Sequence, residues 1–252
     1  MKAIIIGATS GIGKSVAEKL LAAGWIIGIT GRRGNVLESF KATHSSERVF
    51  TKVMDVTLPS STRGLDELIE EMGSPDLFLY VSGVGYQNID LDEEKEIRTV
   101  KTNAEGMVRL TNHFIHHVKA RVADGTYSPN RKAHVAVVTS VAGTAALGTA
   151  PAYSATKKMQ STYLSALAQL SKMEKLPILF TDIRPGFVAT DILNPDKRYP
   201  MVMTVNTAAT HIIKGLARRK RILTFDWRYR VLVFFWRLIP LALWERITWA
   251  KN

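Results

Sequence analysis

The stretch Lys-Ala-Ile-Ile-Ile at residues 2–6, followed by Gly-Ala-Thr-Ser-Gly-Ile-Gly at residues 7–13, decides the fold of this chain. The apolar run predicts a buried β-strand and not a signal peptide, because no small-residue cleavage pattern follows it. Apolar residues at helical spacing then predict a helix over 12–23. A glycine-rich turn between strand and helix admits a pyrophosphate to free backbone N–H groups. The G-x-x-x-G-x-G spacing differs from the common dinucleotide fingerprint, so a purely structural turn is the alternative.

Strands and helices alternate along the rest of the 252 residues. This order predicts an α/β protein with a parallel sheet covered by helices on both faces. We expect one domain over residues 1–252, with an apolar and basic C-terminal extension over residues 226–252. Strands are predicted at 2–6, 25–30, 49–54, 77–82, 133–139, 178–183 and 222–225. Helices are predicted at 12–23, 35–43, 62–72, 91–122, 152–173 and 207–217.

The composition excludes several classes of site and partner. The chain has no cysteine, which rules out disulfides, thiol catalysis and cysteine-based zinc sites, and we predict no metal site. The net charge is +12, and ten Lys/Arg against two acids lie from Lys214 onwards. These basic residues are interleaved with apolar ones, and no DNA- or RNA-binding motif accompanies them, so we expect no nucleic-acid partner. We expect a cytoplasmic protein.

The end of the second strand reads Thr-Gly-Arg32-Arg33. In a dinucleotide-binding sheet an acid at this place binds the ribose 2′-hydroxyl, whereas arginine suits a 2′-phosphate. The pair therefore favours NADP(H) over NAD(H), and two ordinary solvated arginines are the alternative. Asp55, followed by Val56, stands at the end of strand three. Its carboxylate either accepts from an adenine amino group or caps the next turn.

Tyr153 and Lys157 are four residues apart and share one face of a predicted helix. A neighbouring ammonium favours the phenolate and makes a tyrosine a useful acid or base. The spacing alone is a weak signal, because such pairs commonly lie on a solvated face. Ser140, at the end of an apolar strand, strengthens it by placing a hydroxyl at the sheet edge where open α/β sheets bind ligands.

Together these features resemble the short-chain dehydrogenase/reductase family up to about residue 225. The resemblance implies a Rossmann-type, doubly wound parallel sheet of about seven strands. It also implies a catalytic tetrad, Asn103, Ser140, Tyr153 and Lys157. In the family's pattern the serine orients the carbonyl, the tyrosine transfers the proton, the lysine holds the ribose and lowers the tyrosine pKa, and the asparagine supports a water. The implied cofactor contacts are Gly7, Thr9, Ser10, Gly11, Ile12, Gly13, Arg32, Arg33, Asp55, Val56, Ser82, Gly83, Asn103, Tyr153, Lys157, Pro185, Gly186, Val188 and Thr190.

One stretch departs from the family's pattern. Tyr80-Val81-Ser82-Gly83 stands where the family usually has Asn-Asn-Ala-Gly. The small residues remain, but the hydrogen bonds that the asparagines give to neighbouring strands are in doubt. We interpret this as a variant subgroup, because the tetrad is intact.

The function that the resemblance implies is hydride transfer between NADP(H) and a ketone or secondary alcohol. A cofactor-binding regulator without turnover is the alternative. Apolar residues 147, 187, 192, 193, 201 and 203 either line the site of a hydrophobic carbonyl substrate or only pack its lid. The expected substrate contacts are Ser140, Leu147, Tyr153 and Phe187.

Residues 231–244 form an apolar segment broken by Arg237 and Pro240, too short to span a bilayer. Three interpretations stay open. The segment lies on a membrane surface, covers the active site, or contacts a partner subunit. We also expect a homodimer or homotetramer.

Overall fold

A computed structural model describes residues 1–44, 46–127, 131–194 and 196–247 of the chain. Seven parallel strands form one sheet in the order β3-β2-β1-β4-β5-β6-β7. The strands are β1 Lys2–Ile6, β2 Ile26–Gly31, β3 Val49–Val53, β4 Leu77–Tyr80, β5 Ala133–Val138, β6 Ile178–Ile183 and β7 Ile222–Leu223. The helices are α1 Gly11–Ala22, α2 Gly34–Thr43, α3 Ser61–Met72, α4 Glu93–Val100, α5 Gly106–Ala123, α6 Pro151–Met173, α7 Val205–Ala217, α8 Trp227–Trp236 and α9 Leu241–Trp244.

The sheet is buried on both faces, which explains why every residue of β1 after Lys2 is apolar. Ala3 and Ile5 belong to a core that packs under α1, α2 and α7. Ile4 and Ile6 point to the other face, into a core formed with α3, α5 and α6. Successive side chains of a strand alternate between faces, so a strand covered on both sides cannot alternate apolar with polar residues. The prediction of a doubly wound α/β sheet is confirmed.

The strand order reverses between β1 and β4. The chain builds outwards from β1 to β3 and then crosses back to place β4 on the other side of β1. In open α/β sheets a crevice forms at this point, beyond the carboxyl ends of the strands, and ligands bind there. The turns that follow β1, β4, β5 and β6 all reach this crevice.

The predicted helix over 91–122 is not continuous. Leu91 has a left-handed backbone with φ +54°, and α4 begins only at Glu93. A π-helical turn, Lys101–Glu105, then separates α4 from α5. Two of its carbonyls accept from side chains outside the helix, since the Tyr80 hydroxyl donates to Thr102 O at 2.8 Å and Gln160 Nε2 donates to Asn103 O at 2.7 Å. These tertiary bonds favour the wider turn, and such insertions recur at functional sites.

Strand β4 is two residues shorter than predicted. The backbone N–H groups of Val81 and Ser82 both donate to Ile6 O, each at 2.9 Å, so the chain curls over the end of β1 instead of continuing the ladder. This curl places the Ser82-Gly83 turn directly beside Gly7. None of the helices in the described ranges has the length and apolar character that crossing a membrane requires.

Candidate active site

The glycine turn after β1 is built for close backbone approach. Gly7 has φ +89°, and a side chain there would lie 2.7 Å from Ser82 N. A Cβ on Gly13 would lie only 2.0 Å from Gly7 O. On the opposite side, a Cβ on Gly11 would be 3.2 Å from Thr190 Cγ2. The turn is therefore packed between the β4 turn and the loop after β6, with the N-terminus of α1 open towards the crevice.

The two arginines after β2 have different surroundings. Arg33 donates from Nη2 to Thr9 Oγ1 at 3.0 Å and from Nε at 3.3 Å, which holds its guanidinium over the glycine turn. Arg32 lines a cavity of about 320 Å³ beside the end of β3. The cavity is lined by Arg32, Asp55, Thr57, Glu94, Ile97, Arg98, Lys101 and Thr102.

Asp55 performs the turn-capping role that the sequence left open. Its Oδ1 accepts from Thr57 N at 2.9 Å and from Thr57 Oγ1 at 2.8 Å. Burial would raise the pKa of the Asp55 carboxyl, but the Thr57 hydrogen bonds and the nearby Arg32 lower it below its ordinary value. Arg98 acts in the same direction from α4. Neither Arg98 nor Lys101 was singled out from the sequence, because only the fold brings α4 to the end of β3.

Tyr153 and Lys157 lie on the inner face of α6, as the four-residue spacing predicts. Lys157 Nζ donates to Val138 O at 3.0 Å and lies 5.6 Å from the centroid of the Tyr153 ring. Ser140 follows Val138 and Thr139 at the end of β5, so its hydroxyl faces the same region. Ser140 Oγ also accepts from Ala142 N at 3.0 Å, which fixes its side chain.

The pKa of the tyrosine differs from the prediction. Burial raises the pKa of the Tyr153 phenol, and a hydrogen bond with the Ser140 hydroxyl opposes this rise. Burial also lowers the pKa of the Lys157 ammonium to about 8, while Asp182 acts in the opposite direction. The direction of the Tyr153 pKa change is therefore opposite to the one that a neighbouring ammonium favours. In both side chains the largest cause of the change is the exclusion of water, which penalises the charged form.

Asn103 occupies the π-helical turn and is fully buried. Its Oδ1 accepts from Val84 N at 2.9 Å, and its Nδ2 donates to Val84 O at 2.8 Å and to Thr156 Oγ1 at 3.2 Å. The side chain thus ties the loop after β4 to the helix that carries Tyr153. The missing Asn-Asn pair does not leave this loop unbraced, because Val81 and Ser82 bond to β1 and Val84 bonds to Asn103.

The loop after β6 closes the other side of the crevice. Val141 N donates to Pro185 O at 3.0 Å, which fixes the Pro185-Gly186 turn beside Ser140. The bridge between Val188 and Met203 closes the loop, so that Thr190 faces the glycine turn. Val56, by contrast, is buried beneath the cavity, where its carbonyl accepts from Arg109 Nη1 at 3.1 Å.

The expected substrate residues divide into two groups. Leu147 lies in the loop before α6, and its N–H donates to Ser154 Oγ at 3.1 Å. The Phe187 ring packs among other aromatic rings, with its centroid 4.8 Å from that of Tyr199 and 6.5 Å from that of Tyr229. Of the two interpretations of the apolar lining, lid packing therefore describes the surroundings of Phe187.

Two neighbours of Tyr153 were missed from sequence. A Cβ on Gly85 would be 2.8 Å from the edge of the Tyr153 ring and 3.2 Å from Ile192 Cγ2. Glu96 reaches from α4 to the start of α6, where its Oε2 accepts from Ala152 N at 2.9 Å. Its Oε1 accepts from Asn88 Nδ2 at 2.8 Å. The sequence Gly83-Val84-Gly85 gave a local signal for Gly85, whereas no local pattern marks Glu96.

Comparison with known proteins places this arrangement in context. The chain is 33% identical over 198 residues to glycine betaine reductase ATRR of Emericella nidulans, covering 76% of this chain and 15% of that protein. It is 26% identical over 200 residues to dehydrogenase/reductase SDR family member 7B of Bos taurus, covering 75% of this chain and 58% of that protein. An uncharacterized oxidoreductase of Myxococcus xanthus is 27% identical over 253 residues, covering 96% of this chain and 94% of that protein. The chain thus spans only part of the first two relatives.

Solved structures share the fold at lower identity. The 3-ketoacyl-(acyl-carrier-protein) reductase from Brucella melitensis complexed with NADH has a TM-score of 0.75 and 21% identity, covering 89% of this chain and 96% of the other. The alcohol dehydrogenase from Thermococcus sibiricus complexed with 5-hydroxy-NADP has a TM-score of 0.74 and 22% identity, covering 90% of this chain and 97% of the other. The family model for short chain dehydrogenases matches residues 1–199. This chain is a member of the short-chain dehydrogenase/reductase family of oxidoreductases.

Proposed function

We propose that this chain reduces a hydrophobic ketone to a secondary alcohol with NADPH. The observation that carries the proposal is the placement of half-buried Tyr153 and buried Lys157 on one face of α6, with Ser140 beside the phenol. The crevice that they face also contains the glycine turn and Thr190.

The residues present fit a nicotinamide dinucleotide. The turn at residues 7–13 has no room for side chains at Gly7 and Gly13, which suits contact of backbone N–H groups with a pyrophosphate. The cavity lined by Asp55 and its neighbours accepts the adenosine end. When bound, the cofactor supplies the hydride that goes to the carbonyl carbon.

Tyr153 donates its proton to the carbonyl oxygen of the substrate as that oxygen gains negative charge. The raised pKa keeps the phenol protonated at neutral pH, which suits an acid that acts in the reducing direction. Ser140 Oγ orients the carbonyl by a hydrogen bond. Burial lowers the pKa of Lys157 to about 8, so this ammonium gives up a proton near neutral pH more readily than an exposed lysine and can pass it towards Tyr153. Asn103 positions the loop after β4.

The test is NADPH oxidation with a panel of apolar ketones, run with wild type and Tyr153→Phe. The phenylalanine ring keeps the packing against Gly85, so we expect the fold and the NADPH affinity to persist while turnover falls by roughly 100-fold or more. Equal turnover of the two proteins contradicts the role of Tyr153. NADPH binding without turnover of any ketone by wild type supports the regulator instead.

The choice of NADP(H) over NAD(H) rests on Arg32 and Arg33. Arg33 is held over the glycine turn by Thr9, and no acid stands between Gly31 and the start of α2. We expect Arg32→Gln with Arg33→Gln to weaken NADPH binding at least about tenfold while NADH binding changes little. The exposed Arg63→Gln is the matched control. An equal loss for both cofactors contradicts the phosphate assignment.

A further inference from the structure

The helix α8 is apolar on two opposite sides, and only one of them is used by the fold. Tyr229 and Val233 face inwards and are buried against Val141, Phe187 and Met201. The Tyr229 hydroxyl donates to Pro200 O at 3.0 Å and accepts from Phe187 N at 3.1 Å. This inner face covers the rim of the candidate active site, one of the three interpretations that the sequence left open.

The outer side of α8 is an exposed apolar stripe. Trp227, Val231 and Phe234 follow one another at intervals of four and three residues, which places them along one side of the helix, and Leu238 follows in the turn after it. Their exposed fractions lie between 46% and 71%. Phe235 lies beside the stripe, its ring 5.5 Å from that of Phe234. Contiguous exposed apolar surface of this kind marks an interaction site.

The stripe continues onto α9 and is anchored next to the active site. Leu241 and Leu243 of α9 are more than half exposed. Trp244 of the same helix donates from Nε1 to Ala146 O at 2.6 Å, and its ring lies 5.5 Å from that of Trp236. Because Ala146 belongs to the loop that precedes α6, the outer surface of α8 and α9 is fixed beside the entrance to the Tyr153 crevice.

Charge at this surface selects the partner. Arg230, Arg237 and Arg246 are exposed in the same segment, whereas Arg228 is paired with Asp226. Aromatic and leucine side chains interleaved with arginines fit an anionic bilayer surface, where the apolar groups enter the headgroup boundary and the guanidinium groups meet phosphates. A second copy of the chain fits less well, because pairing the same surface would bring these arginines against their equivalents. The basic residues from Lys214 to Arg221 belong to the end of α7 and the turn before β7, outside the segment that forms this surface.

We infer that the outer face of α8 and α9 docks the protein on an anionic lipid surface, with the entrance of the crevice at the membrane. Docking rests on the exposed stripe and the arginines. Its consequence, delivery of an apolar carbonyl compound from the lipid phase, rests on the proposed function.

The experiment is co-flotation of the full chain, without NADPH, with phosphatidylcholine vesicles that contain or lack phosphatidylglycerol. We expect binding to the anionic vesicles at low salt and its weakening at high salt. Phe234→Gln with Leu238→Gln should reduce this binding by about tenfold or more, because two apolar side chains no longer enter the lipid. The matched control is Leu170→Gln with Met173→Gln, which changes two exposed apolar residues at the end of α6 and should bind as wild type does.

Absence of binding to anionic vesicles at low salt overturns the inference, as does equal binding by the outer-face variant and wild type. A stable dimer that the outer-face variant abolishes assigns the stripe to a second copy and also overturns it. NADPH turnover of a short, water-soluble ketone is measured separately without lipid. Loss of docking with retained turnover contradicts this inference alone, and docking without turnover contradicts the proposed function alone.

Discussion

Replacing Lys157 by methionine should stabilise the cofactor-free protein while abolishing activity. The side chain is 4% exposed, and burial lowers the pKa of its ammonium from the ordinary value of 10.5 to about 8. That difference corresponds to about 3 kcal/mol by which the charged lysine destabilises the fold at neutral pH. Methionine has a similar length and no charge. It loses the hydrogen bond to Val138 O, a cost of about 1 kcal/mol.

The net expectation is a gain of about 2 kcal/mol, which raises the Tm of a chain of this size by roughly 4–8 °C. The pH dependence gives the sharper test. Below pH 8 the lysine is protonated in both states, so the penalty is complete and constant. Between pH 8 and 10.5 the folded protein binds fewer protons than the unfolded chain, so wild-type stability rises relative to the variant. The advantage of the variant should therefore shrink across this range.

The assay is thermal and urea unfolding of wild type, Lys157→Met and Lys158→Met from pH 7 to pH 10. Lys158 is exposed on the same helix, so its substitution should change the free energy of unfolding by less than about 0.5 kcal/mol. A Lys157→Met protein that is less stable than wild type at pH 7, or whose advantage does not change with pH, would refute the reasoning that burial dominates the charge of Lys157.

Two further substitutions test how the site is held. Glu96→Gln removes the negative charge at the N-terminus of α6 and leaves an amide facing a hydrogen-bond donor. We expect the free energy of unfolding in urea to fall by about 1–2 kcal/mol and kcat to fall as well. The exposed Glu93→Gln is the control and should change neither. Gly186→Ala places a Cβ 2.1 Å from the Tyr229 ring. This substitution should lower the free energy of unfolding by about 1–3 kcal/mol and make the C-terminal helices more sensitive to protease. Gly148 has open space around it, so Gly148→Ala should have neither effect. Unchanged unfolding in both test variants would show that these contacts do not support the site.

The sequence by itself determined the architecture, because the signals for it are local. An apolar run, a glycine turn and a helical period each depend on neighbouring residues, and the alternation of strands with helices predicts a parallel sheet covered on both faces. The doubly wound order of about seven strands was implied by the resemblance to a known family. Tyr153 and Lys157 could be paired for the same reason, since a spacing of four on a helix fixes a common face. The helix boundaries around them were also predicted to within one or two residues.

Only the tertiary structure decided the environment of those residues. The π-helical turn depends on donors that are distant in sequence, namely Tyr80 and Gln160. The positions of Glu96 and Arg98 depend on where α4 packs. The C-terminal segment, an apolar stretch broken by Arg237 and Pro240, has one side buried at the rim of the active site and one side exposed.

The clearest case is the pKa of Tyr153, which proximity to a lysine predicted to fall and burial raises. Sequence spacing reports which groups are near each other along a helix. The exclusion of water, which sets the cost of charge, is a property of the whole packed fold.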